Sequence, residues 1–255
     1  MTNNISFKMG HVLIKVADLN EAIKDYEKLG FTVVLGSTIE KATNAMIYFE
    51  DGSFIELFTA SLGKLDGFVL GLLKIFRKLS PIKIDRYLNY LSANEGLTDF
   101  ALDSSPEGSF MTNITRLGKN GITLSKPISM KRVDSKGCER KWQLAFAEDF
   151  KLPFFMDVYT PKFIPSQEEF THPNGVTSIS QLVIAVDKYD YFVDNYKKMT
   201  TNYTESALES QFHFGDCCVT LQKSNTFEMK ELHLNASKPL DLTHKKTHGV
   251  KLIVD

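Results

Sequence analysis

Alternating apolar and polar positions, broken by short turns, set the pattern of this chain. In His11-Val-Leu-Ile-Lys-Val-Ala-Asp18, Val12, Ile14 and Val16 share one strand face, while His11, Leu13, Lys15 and Ala17 share the other. Strand side chains alternate sides, so a one-residue step changes the face. The first face suits packing beneath a helix; the second, opened by His11, would look into the space that the sheet encloses. Ser53-Phe-Ile-Glu-Leu-Phe-Thr59 repeats the device, with Ile55 and Leu57 suited to the core and Phe54, Glu56 and Phe58 opposite them. If both strands belong to one curved sheet, His11 and Glu56 point into one cavity.

Between these strands, Leu19 to Gly30 predicts a helix. Asp18 is its N-cap, Glu21 sits at the capping-box position and Gly30 is the C′ residue, with Leu19, Ala22, Ile23, Tyr26 and Leu29 as the buried stripe. Residues 31–36 and 44–49 predict further strands, and Asp51-Gly52 a turn, which makes the unit βαβββ. A second copy starts at Leu97. Thr98, Phe100 and Leu102 mark one face of its first strand, and Asp99, Ala101 and Asp103 the other. A helix over 106–121 and strands over 122–125, 141–146 and 153–160 complete it. The third copy runs through a strand over 178–186, a helix over 189–199, strands over 202–206, 210–214 and 217–221, and a last strand over 249–254. Element order repeated in this way predicts an α+β fold of tandem βαβββ modules, a curved mixed sheet around a cleft. The expected organisation is a first module over 9–60, a helical insert over 61–95, a second module over 96–175 and a third, degenerate module over 176–255. In the insert, Phe68, Leu72, Ile75, Phe76 and Leu79 line one helix face, residues 82–91 make a second helix, and packing is preferred over a lid.

Composition narrows the function classes. The 255 residues carry a formal net charge of −1, which gives no electrostatic reason for binding nucleic acid or an anionic membrane. Apolar residues at 43% are ample for a core. The first residues lack the basic flank and apolar stretch of a signal peptide. The three cysteines, Cys138, Cys217 and Cys218, form no disulfide framework, so a reducing, cytoplasmic location is expected. Residues 68–79 are too short and too charged to span a bilayer. No Gly-rich phosphate loop, nucleophile elbow or HExxH is present.

The residues His11-Val-Leu-Ile-Lys-Val-Ala-Asp-Leu, Gly30-Phe-Thr-Val-Val, Asn44-Ala and Asp51-Gly-Ser-Phe-Ile-Glu-Leu, in that order, resemble the glyoxalase-like branch of the vicinal oxygen chelate superfamily. Trp142-Gln-Leu-Ala-Phe, Leu152-Pro-Phe-Phe and His172-Pro-Asn-Gly175 extend the resemblance to about residues 9–175. It implies paired modules whose sheets curl around a divalent metal that chelates adjacent oxygens and stabilises an oxyanion. His11 matches the first-strand ligand and Glu56 the fourth-strand ligand. In the second module the corresponding strands offer Asp99 and Asp157, the latter one residue out of register. Such an oxygen-rich set suits manganese, iron or magnesium.

Each residue also has a plainer reading. Glu56, a carboxylate among aromatics, must be paired or ligated, and Lys15 on the His11 face is its alternative partner. Asp99 is readable as an edge residue, Trp142 as core, and Gln143 as facing the cleft. His172 is either an acid–base group or part of an Asn-Gly turn, while His213, His233, His244 and His248 read as structural or solvent-facing. Two function classes stay open. One is a metal-dependent lyase, isomerase or dioxygenase acting on a small oxygen-bearing molecule, with His172 or Glu56 moving the proton. The other is a metal-free protein that sequesters a small molecule on Tyr48, Phe54, Phe58 and Phe155. A homodimer is compatible with either.

Overall fold

The computed structural model describes residues 6–36, 42–60, 77, 81–134, 137–240 and 245–254. Its first module begins with strand β1 (Phe7–Lys15) and helix α1 (Leu19–Lys28). The Asp18 side chain accepts the Glu21 N–H at 2.9 Å, which satisfies one of the helix's orphan donors. Gly30 closes the helix at φ 85°, a conformation that costs glycine least. Strands β2 (Val34–Leu35), β3 (Asn44–Tyr48) and β4 (Phe54–Phe58) follow. Helix α2 (Pro81–Ser92) leads into the second module: β5 (Gly96–Ser104), α3 (Phe110–Lys119), β6 (Ile128–Val133), β7 (Glu139–Phe146) and β8 (Phe154–Met156).

These eight strands form one mixed sheet in the order β2-β3-β4-β1-β5-β8-β7-β6. Strands β1 and β5 meet antiparallel at its centre, Val12 opposite Phe100, and each has a parallel neighbour, β4 and β8. Leu13 faces Glu56 across β1–β4, and Ala101 faces Phe154 across β5–β8. A local two-fold through the Val12–Phe100 pair therefore takes His11 to Asp99, Leu13 to Ala101 and Glu56 to Phe154.

A short helix α4 (Gln167–Phe170) precedes the remaining elements: β9 (Val176–Val186), α5 (Tyr189–Lys197), β10 (Tyr203–Glu205), β11 (Glu209–Phe214), β12 (Cys217–Lys223), β13 (Glu228–Ala236) and β14 (Leu252–Val254). They form a second sheet, β10-β11-β12-β9-β13-β14. Its β13 lies antiparallel to β9 and its β14 parallel to β13, as β5 lies to β1 and β8 to β5. The second sheet thus repeats the first without counterparts of β7 and β6.

The helix-facing sides of both sheets share one core. Val12, Ile14, Ile55 and Leu57 from the first sheet join Leu182, Ile184, Val219 and Leu221 from the second, with Tyr26 of α1 and Tyr196 of α5 between them. Full burial of such a side chain contributes roughly 1.5–3 kcal/mol. The opposite, concave face of the first sheet carries a separate cluster of Leu13, Phe58, Ala101, Leu144, Phe154 and Met156.

Two strands differ from the sequence expectation. Residues 122–125 make only a bridge, Leu124 to Ala147, and the paired strand is β6, at Ile128–Val133. Strand β13 is additional. The expected helix around Phe68, Leu72, Ile75, Phe76 and Leu79 lies outside the described residues, as does His244.

Candidate functional site

The concave face of the first sheet is a cup with two different ends. At one end α2 enters it. Arg86 is buried and grips Asp99 with two hydrogen bonds, Nε to Oδ2 and Nη2 to Oδ1, each 2.7 Å. Nη2 also donates to the Leu152 carbonyl at 2.7 Å, and the guanidinium lies 5.1 Å and 5.3 Å from the Phe146 and Phe154 ring centres. The Tyr90 hydroxyl donates to Asp99 at 2.5 Å while its ring sits edge-on to Phe58 at 5.4 Å. Lys15 donates to the Leu91 and Ala93 carbonyls, at 2.9 and 2.7 Å, at the C-terminal end of α2. Lys15 therefore caps a helix and does not pair with Glu56.

The other end holds His11 and Glu56. His11 is stacked on Phe54, with ring centres 4.3 Å apart and planes 7° apart, and meets Phe154 edge-on. Its Nε2 lies 3.5 Å from Glu56 Oε2 and its buried Nδ1 has no partner. Burial, aided by the charge of Arg132, lowers the His11 pKa to about 3, so the imidazole is neutral. Burial raises the Glu56 pKa; a 2.7 Å hydrogen bond from Asn44 and the charge of Arg132 oppose that rise. Arg132 reaches in from β6 between the Trp142 and Tyr159 rings, 5.9 and 5.5 Å away.

Beyond Phe54 the cup opens into a cavity of about 310 Å³, lined by Tyr48, Phe54, Asp103, Met156, Tyr159 and Phe163 among others. Asp103 lies so close to Gly10 that a Cβ there would sit 2.3 Å from its Oδ1, which makes Gly10 a condition of its placement. Burial, with the repulsion of Asp157 and against the attraction of Lys8, lifts the Asp103 pKa to about 7.

The expected site residues divide accordingly. His11 and Glu56 come together, and Tyr48, Phe54 and Phe58 lie on the concave side, although Phe58 is under Tyr90. Asp99 is corrected as a metal ligand: it occupies the two-fold mate of His11, yet both its oxygens are held by Arg86 and Tyr90. Asp157 is corrected too. The mate of Glu56 is Phe154, which has no donor atom, and Asp157 lies at the cavity mouth, its Oδ1 accepting the Val158 N–H at 2.9 Å. Phe155 points to the helix side, fully buried in the main core. Trp142 and Gln143 exchange their expected faces. Trp142 shares the concave side with Leu144, and Gln143 alternates away from both.

His172 serves as a staple rather than an acid–base group. Its Nδ1 accepts the Thr32 N–H and its Nε2 contacts the Tyr48 carbonyl, both at 3.0 Å, with Phe31 and Phe49 edge-on around it. His248 is buried, not solvent-facing, between Asp25 at 3.3 Å and Glu95 at 3.1 Å. Arg132, Asp103 and Arg86 were not singled out by sequence. The alternation of Ile128, Met130 and Arg132 was the available signal for β6, and Asp103 shares the face of Asp99 and Ala101.

A protein-held metal is only half accommodated. Two ligands about 2.0–2.2 Å from one ion stand roughly 3–3.5 Å apart, so neutral His11 and Glu56 fit two corners. Among the described residues no group of three His, Cys, Asp or Glu side chains is placed to hold an ion. Of the second-module residues that the resemblance implied, Asp99 is ion-paired with Arg86 and Asp157 accepts the Val158 N–H at the cavity mouth.

Comparison with known proteins agrees with this architecture. The model of the glyoxalase-like domain matches residues 9–200, and the chain belongs to that family. Its fold is that of the vicinal oxygen chelate superfamily. A hypothetical protein from Staphylococcus aureus superposes with a TM-score of 0.72 at 14% identity, covering 98% of each chain. An extradiol ring-cleaving dioxygenase from B. fuscum gives 0.53 at 8% identity, over 92% of this chain and 58% of the other. A Mn(II)-bound glyoxalase from Novosphingobium aromaticivorans gives 0.57 at 9% identity, over 93% and 68%. The chain thus spans little more than half the length of the dioxygenase. No curated protein sequence matches. Among the described residues, no helix is long and apolar enough to cross a membrane.

Proposed function

We propose that the open end of the cup binds a small organic molecule and does so without a protein-held metal centre, the metal-free member of the two classes set out from sequence. The observation that carries this is the asymmetry of the two-fold. The half of the cup that would complete a ligand set is filled by the Arg86–Asp99 pair and Phe154, while the other half keeps a cavity walled by Tyr48, Phe54, Tyr159 and Phe163. Concave, mostly aromatic surfaces with a few converging polar groups are what small ligands occupy. Stacking on these rings supplies affinity; of the polar groups, Asp103 lines the cavity and Arg132 adjoins it beside Tyr48 and Tyr159. The free thiols of Cys138, Cys217 and Cys218 favour a cytoplasmic setting.

The metal-dependent lyase, isomerase or dioxygenase is the second reading. It draws support from the neutral His11 and Glu56 standing 3.5 Å apart on neighbouring strands. In that case these two residues would hold the ion, which would polarise a substrate oxygen.

The test is a thermal-shift screen of single-ring compounds on chelator-treated protein, repeated with Val158→Trp to fill the cavity. Hits in the wild type that vanish in the folded variant support the reading. Hits that persist in the variant, or that require added metal, overturn it.

A further inference from the structure

We infer that the ligand of this cup is a flat organic carboxylate whose carboxylate rests on Arg132. This deepens the small-molecule reading above and rests on it.

Among the described residues of this face, Lys8 and Lys15 donate to backbone carbonyls, whereas Arg132 has neither a carboxylate nor a carbonyl partner. Arg86 has both Asp99 oxygens, and Arg140 has Asp134 at 2.9 Å. Arg132, by contrast, has no carboxylate within ion-pair distance among the described residues. Its polar neighbours are the Tyr48 hydroxyl and the Met46 sulfur, the latter 4.0 Å from Nη1. Its Nε is buried without a partner. A guanidinium stays charged at any working pH, and a buried charge without a partner is costly. The aromatic faces of Trp142 and Tyr159 offset part of that cost, and the in-plane donors meet the Tyr48 hydroxyl and the Met46 sulfur but no carboxylate among the described residues. Those donors form a planar fork that matches a carboxylate.

Glu56 is a poor substitute for an external anion, because Asn44 already holds its Oε1 and His11 lies against its Oε2. Three of the acids lining the cavity have partners as well, while Asp103 Oδ1 is buried without one. Glu107 pairs with Lys162, Asp51 accepts both the N–H and the hydroxyl of Ser53, and Asp157 accepts the Val158 N–H. Tyr48 and Tyr159, the neighbours of the guanidinium, both line the cavity of about 310 Å³. That volume is near the lower end for small-molecule sites and fits one ring with a short acid arm, flat enough to lie between aromatic walls.

The experiment is calorimetric titration of chelator-treated protein, near neutral pH, with benzoate and with its neutral isostere benzamide. Wild type is expected to bind benzoate at least about tenfold more tightly, and Arg132→Gln to bind the two within about twofold. Arg132→Lys, a point charge without the fork, keeps only part of the preference. Equal binding of the two compounds by wild type overturns the carboxylate inference and leaves the cup reading standing. A preference that survives in Arg132→Gln overturns it too. Binding of neither compound overturns it together with the cup reading. Should Arg132→Gln fail to fold by circular dichroism, the wild-type comparison and Arg132→Lys decide.

Discussion

The two ends of the cup occupy two-fold-related positions of one sheet and have gone opposite ways. Around Asp99 the carboxylate is saturated, with Arg86, Tyr90 and the Phe100 N–H all bound to it and Lys15 capping the helix that brings them in, and Arg86 Nη1 is the one orphan atom of that cluster among the described residues. Around His11 the polar groups are less complete, for His11 Nδ1 and Arg132 Nε are both buried without partners. Buried polar groups in folded proteins are almost always paired. A concentration of unpaired ones marks a place where local satisfaction has been given up. The same scaffold positions thus serve stability in one half and, on the reading above, recognition in the other.

Breaking the saturated half should have the largest effect. Arg86→Ala strands a buried Asp99 and is expected to destabilise the fold by about 3–5 kcal/mol, read by urea denaturation. Arg86→Met with Asp99→Leu should recover much of that loss, since an apolar pair leaves no stranded charge. If the double variant is no more stable than the single one, the ion pair is not what holds α2 in the cup.

Asp103 sharpens the comparison through pH. Its folded pKa, about 7, lies above the ordinary aspartate value of 3.8. The folded state therefore binds the proton more tightly, and this contribution is fully present below pH 4 and lost as pH rises through 7. Between pH 5 and pH 8 the loss should be about 2–3 kcal/mol. Asp103→Asn should flatten that part of the profile, and an unchanged slope in the variant would contradict the burial argument.

His172→Ala removes two hydrogen bonds and the packing between Phe31 and Phe49. A loss of about 1–3 kcal/mol in stability is expected, with ligand affinity unchanged. A large fall in affinity at unaltered stability would return His172 to the site. The smallest effect is expected of Glu56→Gln. Burial raises the Glu56 pKa, so its ionised form disfavours the fold. The variant should be slightly more stable above that pKa and no different below it, as measured by melting temperature against pH.

Strand pattern made most of the fold legible. Val12, Ile14 and Val16 against His11, Leu13 and Lys15 gave β1 its two faces, and Asp18 with Gly30 delimited α1. The same alternation paired His11 with Glu56, because period two is sufficient to assign a face once two strands are neighbours. What stayed hidden depended on contacts distant in sequence. Asp99 reads as a ligand until Arg86, on an inserted helix, arrives to bind it. Phe154 becomes the mate of Glu56 only through the register of β5 with β8, which no local pattern encodes. Strand β6 was obscured because Lys131 and Arg132 interrupt its apolar positions, and Arg132 went unnoticed with it. His172 looked like turn chemistry, whereas its ring is fixed by Thr32 and Tyr48, far away in the chain.

The central claim is that the first sheet forms a ligand cup without a protein-held metal centre. Its most direct test is elemental analysis after loading with manganese, iron(II) or zinc and gel filtration, on wild type, His11→Ala and Glu56→Ala. The account predicts metal well below one ion per chain in all three proteins. One tightly held ion per wild-type chain, lost from both variants, would contradict it and restore the metal-dependent reading.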